Sequence, residues 1–144
     1  MTVAAITAVL GGQKVLKRKV GSDTDLRAMT RAGLPVSTLS TLAVELGVER
    51  KVLARVVGIS DRTLSRRLAS GSRLSVEESD RIMRVARVFA LTKDTLGNSQ
   101  KAGHWLREPN LALGGDIPLE LLDTDAGRND VETILRRIEY GIYS

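Results

Sequence analysis

Three arginines, a carboxylate and two hydroxyls stand within the seven residues Asp61 to Arg67. If those residues share a helix, Leu64 and Leu68 form its buried stripe, and Asp61, Arg62, Thr63, Ser65, Arg66 and Arg67 face outward. Such a helix has the chemistry to read a nucleic-acid groove. A guanidinium can bond guanine in bidentate fashion, and Arg62 and Arg66 are placed by position for base edges, each contributing roughly 1–3 kcal/mol of discrimination. Asp61 would accept from cytosine or repel phosphate. Thr63, Ser65 and Arg67 are better placed for phosphates, which position a protein without specifying sequence. The competing reading is a plain helical hairpin whose arginines are solvated.

A reading helix has to be held, and the residues before it supply the means. A helix over about 49–57 buries Val52, Leu53, Val56 and Val57, with Ala54 small enough for a close helix crossing. Gly58 offers the positive φ of a tight turn, Ile59 plugs that turn into the core, and Ser60 caps the next helix, predicted over 61–69 and closed by Gly71. Upstream, Leu39, Leu42, Ala43 and Leu46 recur at helical spacing before Gly47. Ser22 or Asp23 caps a helix over roughly 23–32 that Gly33 and Pro35 stop, and residues 2–10 predict a short apolar helix. The segment KVLKRKV, 14–20, is either a strand-like arm or a helix tail; its Lys17, Arg18 and Lys19 are read as a solvated face. Downstream, Ser75 and Glu78 form a capping box for a long helix ending near Gly97. Ile82, Val85, Ala86 and Phe89 make its inner face, with Arg81, Arg84 and Arg87 solvated or paired with Glu77, Glu78 and Asp80.

After Gly97-Asn98 the composition changes. Short helices are expected around 99–107 and 118–123, then a last helix capped by Thr124 or Asp125 with Val131, Ile134, Leu135 and Ile138 on one stripe. No strand run is convincing, so the chain reads as all-α. Residues 1–97 carry 17 Lys and Arg against 9 Asp and Glu; residues 98–144 carry 5 against 8. A basic front and an acidic back suggest a polyanion partner for the first and a protein for the second.

With no Cys and one His, His104, thiolate chemistry and a His-rich metal cluster are excluded. No nucleophile–base set and no phosphate-binding glycine loop is visible, so neither an enzyme nor a cofactor is expected. The apolar start is too short to span a bilayer and has no basic residues before it, which makes a cytoplasmic protein the expectation.

Leu53 to Arg66, Leu-Ala-x3-Gly-Ile-Ser-x2-Thr-Leu-Ser-Arg, resembles the helix-turn-helix of the Xre and phage-repressor type. The back half looks like the C-terminal toxin-binding domain of the Xre/MbcA/ParS antitoxin family. Its matching residues include Trp105-Leu106, Pro109-Asn110, Ala112 to Gly115, Pro118, Leu121-Leu122, Thr124, Gly127 and Arg137 to Gly141 with Tyr143. Gly33-Leu34-Pro35, Arg66-Arg67-Leu68, Leu74-Ser75 and Glu78 to Arg81 also look like that family.

The resemblance implies a helical bundle with a helix-turn-helix at about 49–70, in a DNA-binding and dimerising domain over 1–97, and a small helical toxin-binding domain over 98–144. It implies an antitoxin that pairs with a NAD-consuming RES-domain toxin and represses its own operon at an inverted-repeat operator. One recognition helix reads few base pairs, so a homodimer is expected on half-sites about 34–36 Å apart or a multiple of that. Tyr140, Ile142, Tyr143 and the Ser144 carboxylate are the candidates to cover the toxin's cleft, assisted by Arg137; an aromatic tail beside a helix end suits a partner's pocket. Tyr140 could equally extend the stripe of Ile138 into the core. Trp105, Leu106, Leu113 and Leu122 read as core. A stand-alone repressor, whose back domain only oligomerises or senses a ligand, is the alternative.

Overall fold

The 21-residue helix Val76–Leu96 is the rod on which five of the other helices pack, as seen in a computed structural model describing residues 2–141. Numbered in chain order, the helices are α1 (Val3–Val9), α2 (Gly12–Leu16), α3 (Asp23–Ala32), α4 (Ser37–Leu46), α5 (Arg50–Val56), α6 (Asp61–Ser70), α7 (Val76–Leu96), α8 (Ser99–Arg107), α9 (Pro118–Leu121) and α10 (Asp125–Glu139). A single 3-10 turn, Leu111–Leu113, lies between α8 and α9.

The predicted capping box starts α7: Glu78 N–H donates to Ser75 Oγ at 3.1 Å, and Ser75 N–H to Glu78 Oε1 at 2.8 Å. The expected inner face, Ile82, Val85, Ala86 and Phe89, is fully buried, and so are Met83, Val88 and Ala90. More of the circumference is buried than one stripe predicts because α1, α3, α4, α8 and α10 cover the rod from several sides. For the same reason Arg81, Arg84 and Arg87 are half-buried and do not pair with Glu77, Glu78 or Asp80. Arg81 donates to Val57 O (3.4 Å), while Arg84 donates to Leu122 O (3.3 Å) and pairs with Asp125 (3.2 Å).

Segment 14–20 is not a strand-like arm: its first three residues end a helix and residues 17–20 are irregular backbone. Helix α2 runs to the buried Leu16, and Lys17 then takes a left-handed backbone (φ 58°) that ends it. Lys17, Arg18 and Lys19 are exposed, as expected. Ser22 caps α3, and beyond Gly33 the chain is pinned from a distance: Leu34 N–H donates to the buried Ser79 Oγ at 2.8 Å. Leu74 N–H returns to Leu34 O at 2.9 Å, beside an isolated antiparallel bridge between Pro35 and Arg73. Otherwise the described residues are helix, turn and irregular backbone, in keeping with the all-α expectation.

Beyond Gly97 the core is continuous. Ala102, Leu106, Leu119, Leu122, Val131 and Leu135 join the same buried cluster as Val85 and Phe89. Thr124 Oγ1 caps α10 by accepting from Gly127 N–H at 3.0 Å. Gly127 is buried where α10 starts against α9, and a Cβ there would lie 1.8 Å from Leu121 O. Only glycine permits that approach.

A candidate nucleic-acid interface and an exposed C-terminal face

The turn before α6 is built as its residue types require. Gly58 has φ 78°, and its backbone runs so close to Arg81 that a Cβ would meet Arg81 Nη1 at 2.8 Å. Ile59 is 2% exposed and its N–H donates to Ala54 O at 2.8 Å, locking the turn onto α5, where Ala54 is fully buried. Ser60 Oγ accepts from Thr63 N–H (3.2 Å) and donates to Thr63 Oγ1 (3.0 Å). Leu64 is buried and Leu68 half-buried, forming the inward stripe of α6.

Of the six candidate contact residues on that helix, four, Asp61, Arg62, Ser65 and Arg66, are exposed. Arg62 and Arg66 have no ion-pair partner among the described residues, so their guanidinium donors are available to a ligand. Thr63 is half-exposed, with its hydroxyl engaged by Ser60. Arg67 departs from the expectation of six outward residues. Its side chain is only 19% exposed and pairs with Glu78, the residue that also closes the α7 capping box. Arg67 therefore ties α6 to α7. Nothing local marks that role, because the partner lies eleven residues on and is already accounted for by its own cap.

At the other end, Tyr140 is 78% exposed and does not extend the buried stripe; Ile138 beside it is half-buried, while Val131, Ile134 and Leu135 are buried. Arg137, also exposed, borders a hollow of about 370 Å³ between α10 and the 3-10 turn, together with Leu113, Asp116, Leu121, Asp130 and Ile134. Arg137 and Tyr140 thus lie one helical turn apart at the end of α10. Ile142, Tyr143 and Ser144 lie outside the described residues. Leu106 and Leu122 are core as expected, and Trp105 and Leu113 are half-buried against it. His104 is on the surface, 3.9 Å from the Glu108 carboxylate. Sequence reasoning did not single out Leu111, 95% exposed on the 3-10 turn, because a turn this short has no periodicity to show which side chain faces out.

Residues 25–87 match the family described as the antitoxin Xre-like helix-turn-helix domain. Residues 90–141 match the antitoxin Xre/MbcA/ParS C-terminal toxin-binding domain. "Antitoxin Xre" of Photorhabdus laumondii subsp. laumondii is 34% identical over 120 residues, spanning 83% of this chain and 81% of that one. The chain belongs to the Xre/MbcA/ParS antitoxin family. "Antitoxin Xre" of Yersinia enterocolitica is 31% identical over 115 residues, 79% of this chain and 78% of its own. The "Prs ADP-ribosylating antitoxin" of a Sphingobium species is 28% identical over 132 residues, 85% and 83% of the two chains. The two matched segments follow one another along the chain and meet inside α7, ahead of Gly97. No helix among the described residues is long and apolar enough to cross a membrane.

Proposed function

We propose that this antitoxin holds a RES-domain, NAD-consuming toxin inactive and represses its own operon. The C-terminal module, residues 98–144, covers the toxin's active-site cleft. Arg137 pairs with a toxin carboxylate, Tyr140 lies against the cleft mouth, and Ile142, Tyr143 and Ser144 fill it. The observation that carries this half is the exposed Arg137–Tyr140 end of α10, inside the segment that matches a toxin-binding domain. One relative is named for ADP-ribosylation, a transfer whose usual donor is NAD, which fits a NAD-consuming partner. NAD is a cytoplasmic substrate, so the complex works in the cytoplasm.

The front, residues 1–97, enters the major groove with the N-terminal half of α6. Asp61, Arg62 and Arg66 read base edges, while Thr63 and Ser65 contact the phosphate backbone. Arg67, engaged with Glu78, acts by fixing the pitch of α6 on α7 and not by touching phosphate. A homodimer presents two such helices to the halves of an inverted repeat.

The test is co-expression with the neighbouring RES-domain toxin. The toxin alone arrests growth, the full chain restores it, and the chain lacking Ile142 to Ser144 fails to protect. Full protection by the truncated chain removes the tail from the mechanism. Full-length chain that neither protects nor co-purifies with the toxin returns the protein to the stand-alone repressor reading.

A further inference from the structure

Leu111 stands out of the surface at 95% exposure, yet the turn carrying it is firmly built. Asn110 Oδ1 accepts from Ala112 N–H at 2.9 Å, Asn110 N–H donates to Asp116 O at 3.0 Å, and Gly115 N–H donates to Asn110 O at 2.9 Å. Gly114 N–H closes onto Leu111 O at 3.1 Å. The same turn sends Leu113 inward against the core and holds Leu111 outward. A preformed turn presenting a large apolar side chain has already met the ordering cost that a mobile loop would meet on binding.

Its surroundings form a face. The 370 Å³ hollow beside the turn has Leu113, Leu121 and Ile134 as its apolar lining and Asp116, Asp130 and Arg137 at its polar positions. Tyr140 continues the α10 end of that face. The whole lies within the segment matched to the toxin-binding domain, in the part of the chain where acidic residues outnumber basic ones, 8 to 5 over residues 98–144.

We infer that Leu111 is an anchor for the toxin, inserted into an apolar pocket of the partner whose rim is basic, while the adjoining hollow receives an apolar side chain in return. This rests on the toxin-binding reading above but places the contact at a second point, away from the tail. Exposed apolar residues ringed by polar ones are the usual centres of protein interfaces. A self-association surface would use the same side chain, so the oligomeric state forms part of the test.

The experiment uses full-length chain and the neighbouring RES-domain toxin, with affinity measured by calorimetry. Leu111→Glu binds the toxin about 30-fold more weakly or worse, and Leu111→Met binds like wild type. Both variants keep wild-type thermal unfolding, because the site makes no packing contact to lose. Wild-type toxin affinity in Leu111→Glu overturns the anchor and leaves the tail mechanism standing. A change of oligomeric state in Leu111→Glu, seen by light scattering without toxin, also overturns it, assigning Leu111 to a second copy. Wild-type chain that does not bind the toxin overturns both readings together.

Discussion

Replacing Gly127 by Ala sets two effects of opposite sign against each other. In an exposed helix the change is favourable by up to about 1 kcal/mol, since glycine is the poorer helix former. Here the new Cβ would sit 1.8 Å from Leu121 O and 2.8 Å from Leu121 C. Ordinary contact requires about 3.5 Å, so the α9–α10 junction has to open by roughly 1.7 Å. That displacement strains the two tethers of the junction, the Arg84 bond to Leu122 O (3.3 Å) and the Arg84–Asp125 pair (3.2 Å), and loosens buried Leu119 and Leu122. Forced overpacking of this kind costs about 3 kcal/mol at the upper end of its usual range, because backbone and not a side-chain tip must yield. The net loss is about 2 kcal/mol, which lowers the melting temperature of a chain this size by about 4–8 °C. Thermal unfolding by circular dichroism measures it directly. A variant that melts at or above the wild-type temperature would refute the close-approach argument for α9 and α10.

Other predictions address the recognition helix and its supports. Glu78→Ala removes one arm of the α7 capping box and strands the half-buried Arg67, costing about 2 kcal/mol in urea unfolding and weakening operator binding; unchanged stability would mean the pair contributes nothing. Arg66→Ala, exposed and unpaired, leaves stability alone but relaxes preference at one base pair by about 1–3 kcal/mol, read by anisotropy on operator variants. Wild-type affinity and preference in that variant would move base reading elsewhere. The Asp25 carboxyl is held below its ordinary value of 3.8, chiefly by the Gly21 N–H that donates to it and then by Ser22. A lowered folded pKa gives stability that is present above 3.8 and lost as pH falls through the folded value, so Asp25→Asn abolishes that acid-side loss. An NMR titration of Asp25 with an ordinary midpoint contradicts it.

Much of this arrangement was legible in the order of residue types. The α5–turn–α6 unit rests on local rules, since Ala54, Gly58, Ile59 and Ser60 each have one task within a few residues of chain. The cap at Ser75, the stripe of α4 and the stripe of α10 are equally local. What escaped depends on partners far along the chain. Arg67 looked outward because Glu78 had a local role, and Arg84 looked solvated because its acceptor, Leu122 O, lies 38 residues away. Helix α7 buries more than one stripe because five helices, α1, α3, α4, α8 and α10, lie against it, which no periodicity within α7 reveals. Leu111 was not singled out at all: its 95% exposure depends on the hydrogen bonds of residues 110–116, which no periodicity in so short a turn reveals. The exposed α10 end was only half legible, as Tyr140 fitted either the core or a partner until its surroundings were known.

The central claim, that the C-terminal module silences a NAD-consuming toxin, is tested most directly by following NAD in a purified system. The RES-domain toxin is incubated with NAD while full-length antitoxin is titrated in. Loss of NAD should slow in proportion to added antitoxin and stop once every toxin molecule is bound. Loss that continues unchanged at saturating antitoxin would contradict the account.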